Sequence, residues 1–380
     1  MCIRDRRSRV YKSMFDPEYI LSFDEIMGSL SAIREMLVER YNELYLPDLD
    51  KFIDKLNIFR THFATLDIRQ DHRVHREAIR AILSYNELIK DDLAELSEEQ
   101  LLNILLTADL TIDTEIFEDE VIKQTIFNIY QLGSIQEKNG EWGCNRYIIS
   151  NSEDMYAVLF VFALFRWCGY PLKNLKFDIV PLFETIHGMS EGAGIMQKLF
   201  GILQYREHVS KRGNRQTIML GFSDGTKDGG YLKANWSIFK TKEELSTVCS
   251  KNNIEVIFLD GRGGPPARGG GKSHRFYAAQ GDRIANNEIQ LTVQGQTITS
   301  RYGTMEQFTH NCNQLLTAGL SREIKNDKMC MNEESRLLID ELSEISYRKY
   351  KELKNHPMFL PYLEHKTPLK YYSEANIGSR

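Results

Sequence analysis

The sequence predicts an α/β protein: an incomplete (β/α)8, TIM-type barrel carrying many additional α-helices. Three observations predict it. Apolar runs of strand length alternate with stretches of helical spacing, the order that right-handed crossovers between parallel strands produce. The runs recurrently stop at charged residues, and C-terminal strand ends are where barrels gather their sites. Long helical stretches flank and interrupt the alternation, which makes the whole helix-rich. A doubly wound open sheet satisfies the same alternation, because periodicity does not distinguish a closed sheet from one with edges.

Taken in order, apolar residues recur at helical spacing from Phe23 to Leu56 (Ile26, Leu30, Ile33, Met36, Leu37, Tyr41, Leu44), which predicts one or two long helices. Phe63–Gln70 reads as a short strand ending in polar residues, and Val74–Ile89 as a helix. Ser97 followed by Glu98 and Glu99 is a cap with an acidic first turn, and Glu115–Leu132 is helical again. Further strands are expected at Tyr147–Ser150, Phe177–Phe183, Thr217–Phe222, Val256–Leu259 and Ile289–Val293. Between them lie helical patterns such as Met155–Trp167, Gly194–Leu203 and Lys227–Cys249, and Glu306–Tyr350 is mostly helix.

Composition narrows the function classes. Of 380 residues 42% are hydrophobic and 27% charged, so a sizeable core can form and disorder is not expected. A net charge of −5 argues against nucleic acid as the main partner, because phosphate-backbone binding wants a basic face. No apolar run reaches the ~20 residues of a membrane helix; the best, around Ala157–Phe165, is far too short. The six cysteines (Cys2, Cys144, Cys168, Cys249, Cys312, Cys330) show no CxxC and no metal-ligand spacing, which reads as reduced thiols of a cytoplasmic protein. The charged start, Met1 to Arg7, lacks the apolar region of a signal peptide and differs in character from the rest of the chain. Residues 1–20 are therefore expected to be an artefact or a disordered start, and 21–380 a single barrel region truncated at both ends.

The candidate site lies at the strand ends. The first strand ends at Arg69 and Asp71, with His72 and His75 close behind; the third is an apolar run stopping at Glu184. The fourth ends in Gly221-Phe222-Ser223-Asp224-Gly225-Thr226-Lys227-Asp228, which places Asp224, Lys227 and Asp228 in a small-residue turn. The fifth runs into Gly261-Arg262-Gly263-Gly264-Pro265-Pro266-Ala267-Arg268-Gly269-Gly270-Gly271-Lys272, and the sixth into Gln294-Gly295-Gln296. Glycines let backbone N–H groups approach an anion, and guanidinium forks match phosphate or carboxylate, so the Arg262 and Arg268 loop reads as an anion site. Glu184 and Asp224 on adjacent strand ends, amid Arg and Lys, point to a hard cation, Mg2+ or Mn2+, shared with an anionic ligand. Each carboxylate alone is equally a helix cap or an ion-pair partner. His72, His75, His187 and His274 lie near these ends at spacings that specify no zinc site, and they read as structural.

These motifs together resemble the phosphoenolpyruvate carboxylase family. The matching segments are Leu66–Gln70, Tyr147–Ser150, Val180–Ile186, Gly221–Asp228, Gly261–Gly264 with Arg268–Gly270, and Gln294-Gly295 followed by Arg301–Gly303. The resemblance implies carboxylation of phosphoenolpyruvate with bicarbonate to oxaloacetate and phosphate, an anaplerotic reaction feeding the tricarboxylic acid cycle, with Mg2+ or Mn2+. It implies Glu184 and Asp224 as metal ligands, Lys227, Arg262 and Arg268 as catalytic groups, and Arg69, Arg262, Arg268 and Arg380 as substrate-binding groups. Arg268 also matches a position that contacts an aspartate (or malate) inhibitor, and the full-length protein is expected to be a homotetramer.

There are departures. Asp260 stands where the family often has His, placing a negative charge beside the anion loop, and Pro265-Pro266-Ala267 stands where it often has Ser-Ile-Gly. The family's Leu-Thr-Ala-His-Pro-Thr and Leu-Arg-Ala-Ile-Pro-Trp-Ile-Phe motifs do not occur, so the chain is expected to be the middle of a longer enzyme and not to turn over by itself. Two other readings stay open: a different phosphoenolpyruvate-using barrel of the dikinase or kinase kind, or a non-catalytic fragment that binds only metal and anions.

Overall fold

The computed structural model describes residues 3–16, 19–263, 270–293, 295–325 and 331–372. Two compact units emerge, one of Met1–Ile68 with Phe127–Arg146 and one of Arg69–Ile126 with Tyr147–Arg380.

The smaller unit is built on helices Ile3–Phe15, Phe23–Arg40 and Leu46–Phe59. The stretch expected to hold one or two long helices is thus two. The break falls where Asn42, Glu43 and Tyr45 take left-handed φ of 48°, 60° and 61°, values no helix accepts. Ser22 and Glu25 form a capping box at the start of the second helix, and Arg34 bridges to Asp50 at 2.8 Å across the break.

The larger unit carries most of a six-stranded parallel sheet whose strands run β1 Asp67–Asp71, β2 Arg146–Ser150, β3 Asp178–Phe183, β4 Arg215–Gly221, β5 Glu255–Gly261 and β6 Ile289–Leu291. Their spatial order is β1-β2-β3-β4-β5-β6, so each crossover moves one place in the same direction. A doubly wound sheet reverses direction at a switch point, and this order has no reversal. The described architecture is a helix-rich α/β fold with a singly wound parallel sheet.

Register explains what each strand end presents. Leu182 pairs with Met219, Met219 with Leu259 and Leu259 with Gln290; one step on, Phe183, Leu220, Asp260 and Leu291 are partners. Side chains alternate across a strand, so Ile148, Val180, Leu182, Met219 and Leu259 form one buried cluster while Phe183, Leu220 and Asp260 face the other way. Burying each such apolar side chain contributes roughly 1.5–3 kcal/mol. The helix Tyr156–Trp167 packs on β3 and on the helices His72–Tyr85 and Glu98–Thr107. Covered on several sides, it is apolar nearly all round, which accounts for the Ala157–Phe165 run. Among the described residues no helix is long and apolar enough to cross a membrane.

Two expectations need correction. The first strand begins at Asp67, four residues later than expected, because Phe63 takes a left-handed φ of 62° and lies in a turn, 76% exposed. The segment after β4 is not a turn but an α-helix, Phe222–Gly229, followed after Gly230 by the helix Tyr231–Lys251. Its glycines serve packing. A Cβ on Gly225 would meet Met189 Cε at 2.9 Å, and one on Gly229 would meet Ile186 side-chain carbons at 2.5 Å. The short helix therefore sits tightly against Ile186–Gly201, the helix after β3.

Candidate active site

Glu184 follows the last residue of β3, on the face opposite to Phe183, and is 6% exposed. A charged side chain this buried needs partners. Oε1 accepts the backbone N–H of Asn151 at 2.9 Å, and Oε2 accepts from Arg69 Nη2 at 3.4 Å. Asn151 can aim its N–H there because it leaves β2 in the left-handed region, φ 55°, which asparagine tolerates. Its side chain is anchored by donating to Asp71 at 2.6 Å, and Asp71 in turn caps the His72–Tyr85 helix. Arg69 is held from its other side by Ser150 Oγ at 3.0 Å.

Room for Glu184 depends on neighbours without side chains. Gly221 lies beside it at the end of β4, where an added Cβ would stand 2.5 Å from Glu184 Cβ; Gly221 in turn pairs with Gly261. Asp224, in the first turn of the next helix, is within side-chain hydrogen-bonding reach of Glu184 and accepts from Lys227 Nζ at 2.7 Å. Burial, with Asp224 adding to it, pushes the Glu184 carboxyl up to about 7 against the pull of the Asn151 N–H and Arg69.

The helix carrying Asp224 is itself fixed from outside. The Lys227 carbonyl accepts from Tyr350 Oη at 2.8 Å and Lys354 Nζ at 2.9 Å, both from the helix Glu333–Lys354. Asp228 is a structural carboxylate, accepting the Ile186 N–H at 2.9 Å and pairing with Lys351 at 3.2 Å. Arg262 is 5% exposed, donates to the Gly270 carbonyl at 3.0 Å, and lies 4.1 Å from the Phe276 ring centroid and 5.8 Å from that of Phe222. Phe222 opens the Asp224 helix, so the guanidinium stands over the same short element.

Of the sequence-derived site residues, Arg69, Glu184, Asp224 and Lys227 form one continuous set of contacts, with Arg262 joined through Phe222. Arg268 and Arg380 lie outside the described residues, as does Gln294. His75 is a core residue, its Nε2 2.9 Å from Tyr147 Oη, and His72 stacks on Phe160. Sequence reasoning missed Asn151 and Ser150, which hold Glu184 and Arg69. It also left out of the site Arg301, close enough to act on the charge of Arg262. Asn151 carried a faint signal, an Asn directly after an apolar strand. A family model for phosphoenolpyruvate carboxylase matches residues 3–380 of the chain.

Proposed function

The chain belongs to the phosphoenolpyruvate carboxylase family, and from that premise we propose that it carboxylates phosphoenolpyruvate with bicarbonate, using the strand-end cluster built around Glu184. The observation that carries the proposal is the contact of two carboxyls, Glu184 and Asp224, on adjacent strand ends with basic side chains on either flank. Two carboxyls brought together at a largely buried strand end raise each other's charging cost, which a cation between them relieves. Two carboxylate ligands suit Mg2+ or Mn2+, which keep open positions for substrate oxygens. Glu184 and Asp224 would hold it, and the ion would supply charge neutralisation for phosphate and enolate oxygens.

The chain's own residues then divide the remaining task. Bicarbonate oxygen attacks the phosphoryl group, the bridging C–O–P bond breaks at phosphorus, and carboxyphosphate and the enolate of pyruvate result. Carboxyphosphate releases CO2 and phosphate, and the enolate carbon forms the new C–C bond to give oxaloacetate. Arg262 presents a planar fork suited to two phosphoryl oxygens, with Arg268 proposed beside it and Arg380 proposed as a further substrate arginine. Lys227, on the exposed side of Asp224, can swing between that carboxylate and a ligand, since its side chain is 56% exposed. Arg69 stays between Ser150 and Glu184, fixing the carboxylate and meeting the substrate's own carboxylate. The unbroken strand order supports reading the sheet as part of a (β/α)8-type barrel, with the cluster at its C-terminal rim.

The test is oxaloacetate formation by the full-length gene product given phosphoenolpyruvate, bicarbonate and Mg2+ or Mn2+. Phosphate transfer to a nucleotide in place of oxaloacetate would establish the kinase-like alternative. Glu184→Gln and Asp224→Asn should each weaken Mn2+ binding, and unchanged affinity in either removes that ligand.

A further inference from the structure

Asp260 reads in the sequence as opposing an anion site, and its place in the sheet reverses that reading. As a register partner of Leu220 it points to the face opposite Leu259, into the layer under the helix Tyr231–Lys251. There it is fully buried, with Lys242 Nζ at 2.8 Å from Oδ1 and 2.9 Å from Oδ2. Tyr277 Oη donates to Oδ2 at 2.8 Å. Lys242 and Tyr277 are 1% and 7% exposed, so solvent screens none of these contacts. Burial lowers the Lys242 ammonium from its ordinary value and raises the Tyr277 phenol.

The three residues come from different elements: the strand that enters the arginine loop, the helix Ser273–Ala278 that leaves it, and the helix beneath both. One carboxylate therefore ties together the two stems of the loop. The tie reaches Arg262 along three routes. The Asp260 carbonyl accepts the Arg262 N–H at 2.9 Å and the Thr292 N–H at 3.0 Å, which fixes the backbone where the guanidinium side chain begins. Phe276, next to Tyr277, forms the shelf under the Arg262 guanidinium, and its ring meets that of Tyr277 edge-on at 5.1 Å. Lys242 Nζ lies 5.4 Å from the centroid of the same Phe276 ring.

Resting on the function proposed above, we infer that Lys242, Asp260 and Tyr277 are positioning residues for Arg262, a buried clasp that sets the loop's two stems so that the guanidinium fork meets the phosphoryl oxygens. None of the three touches substrate. Asp260 answers the Lys242 cation inside the protein, and what its charge does at the loop is to favour the Arg262 guanidinium.

The experiment uses Tyr277→Phe, which deletes one hydroxyl and keeps the ring against Phe276, in the full-length gene product. Loss of a hydrogen bond to a carboxylate and the resulting misplacement of Arg262 should lower kcat/KM for phosphoenolpyruvate by about tenfold or more. Binding of inorganic phosphate, read by calorimetry, should weaken by a similar factor, while Mn2+ affinity stays within about twofold because the carboxyl pair is untouched. In an Arg262→Lys background the Tyr277→Phe penalty should nearly vanish, since the residue it positions is already altered. A purely structural hydroxyl would shift the melting temperature without this selectivity. Asp260→Asn strands a buried ammonium and risks unfolding, so the neutral pair Lys242→Gln with Asp260→Asn serves as the second variant, expected to show the same phosphate-selective loss. Wild-type phosphate affinity and kcat/KM in Tyr277→Phe, beside an impaired Arg262→Lys, overturn the clasp and leave the proposed function standing. A wild-type protein that makes no oxaloacetate overturns both.

Discussion

Gly221→Ala tests the geometry of the carboxyl pair with a single methyl group. The added Cβ would stand 2.5 Å from Glu184 Cβ and 3.1 Å from Glu184 Cα. Carbon atoms rest at about 3.5–4.0 Å, so strand end and Glu184 must separate by about 1 Å. Neither atom is the tip of a flexible chain; both belong to the root of a residue held by Asn151 and Arg69. Overpacking of this kind costs about 1–3 kcal/mol of stability. A 1 Å misplacement of a catalytic constellation costs about a hundredfold in turnover. Mn2+ affinity measured by calorimetry, kcat for oxaloacetate formation and urea unfolding should therefore all fall. The control is Gly194→Ala in the helix Ile186–Gly201, where an added Cβ meets nothing within 4 Å. It should gain about 0.5–1 kcal/mol from helix propensity and leave kinetics unchanged. Wild-type Mn2+ affinity in Gly221→Ala would refute the close approach of the two strand ends around Glu184.

The same contacts fix the response to pH. Glu184 holds its proton up to about 7 against an ordinary 4.5, so it contributes stability that is fully present below about 4.5 and lost as pH rises through about 7. His75 and His208, pushed down to about 3 and about 4 by burial, act in the opposite sense: their contribution is present above the ordinary value of 6.5 and lost as pH falls. Between pH 4.5 and 6.5 the Glu184 proton offsets part of the histidine loss. Glu184→Gln should then lose stability on acidification more steeply than wild type, by about 1.4 kcal/mol per pH unit in metal-free urea titrations; parallel curves would show that Glu184 ionises normally. Arg262→Lys keeps the charge but not the fork and should lower kcat/KM about ten- to a hundredfold, with near-normal kinetics showing that the loop is only a linker. Arg268→Ser should blunt aspartate inhibition along with activity, and full inhibition in the variant would remove that residue from the inhibitor's contacts.

The strand cores were legible because burial on both faces of a parallel sheet demands apolar runs. Ile179 to Phe183 and Ile257 to Leu259 therefore read as strands without any knowledge of their neighbours. Glu184 and Asp224 were legible as candidates for the same reason in reverse, since a carboxylate that ends an apolar run is costly unless something there needs it. The features hidden from the sequence are tertiary. Gly225 and Gly229 look like turn residues, yet they are small because Met189 and Ile186 press on them inside a helix. The break at Asn42 to Tyr45 interrupts an apolar period that itself runs on unbroken.

Asp260 shows how far one further step of sequence reasoning reaches. A strand's alternation places Asp260 on the face away from Leu259 and Gly261 whatever the neighbours are. That parity alone separates it from Glu184, which adjoins Gly221, the register partner of Gly261. Parity does not supply the partner. Lys242 is 18 residues earlier on a helix of mixed polarity, one of several lysines there, and only packing decides that its ammonium, and not that of Lys240, turns inward. Lys240 goes instead to Asp340 on the helix Glu333–Lys354, beside Trp236. A carboxylate that reads as a defect in an anion site is thus the counter-ion of a buried cation, and it acts on the loop through its contacts as well as through its charge on Arg262.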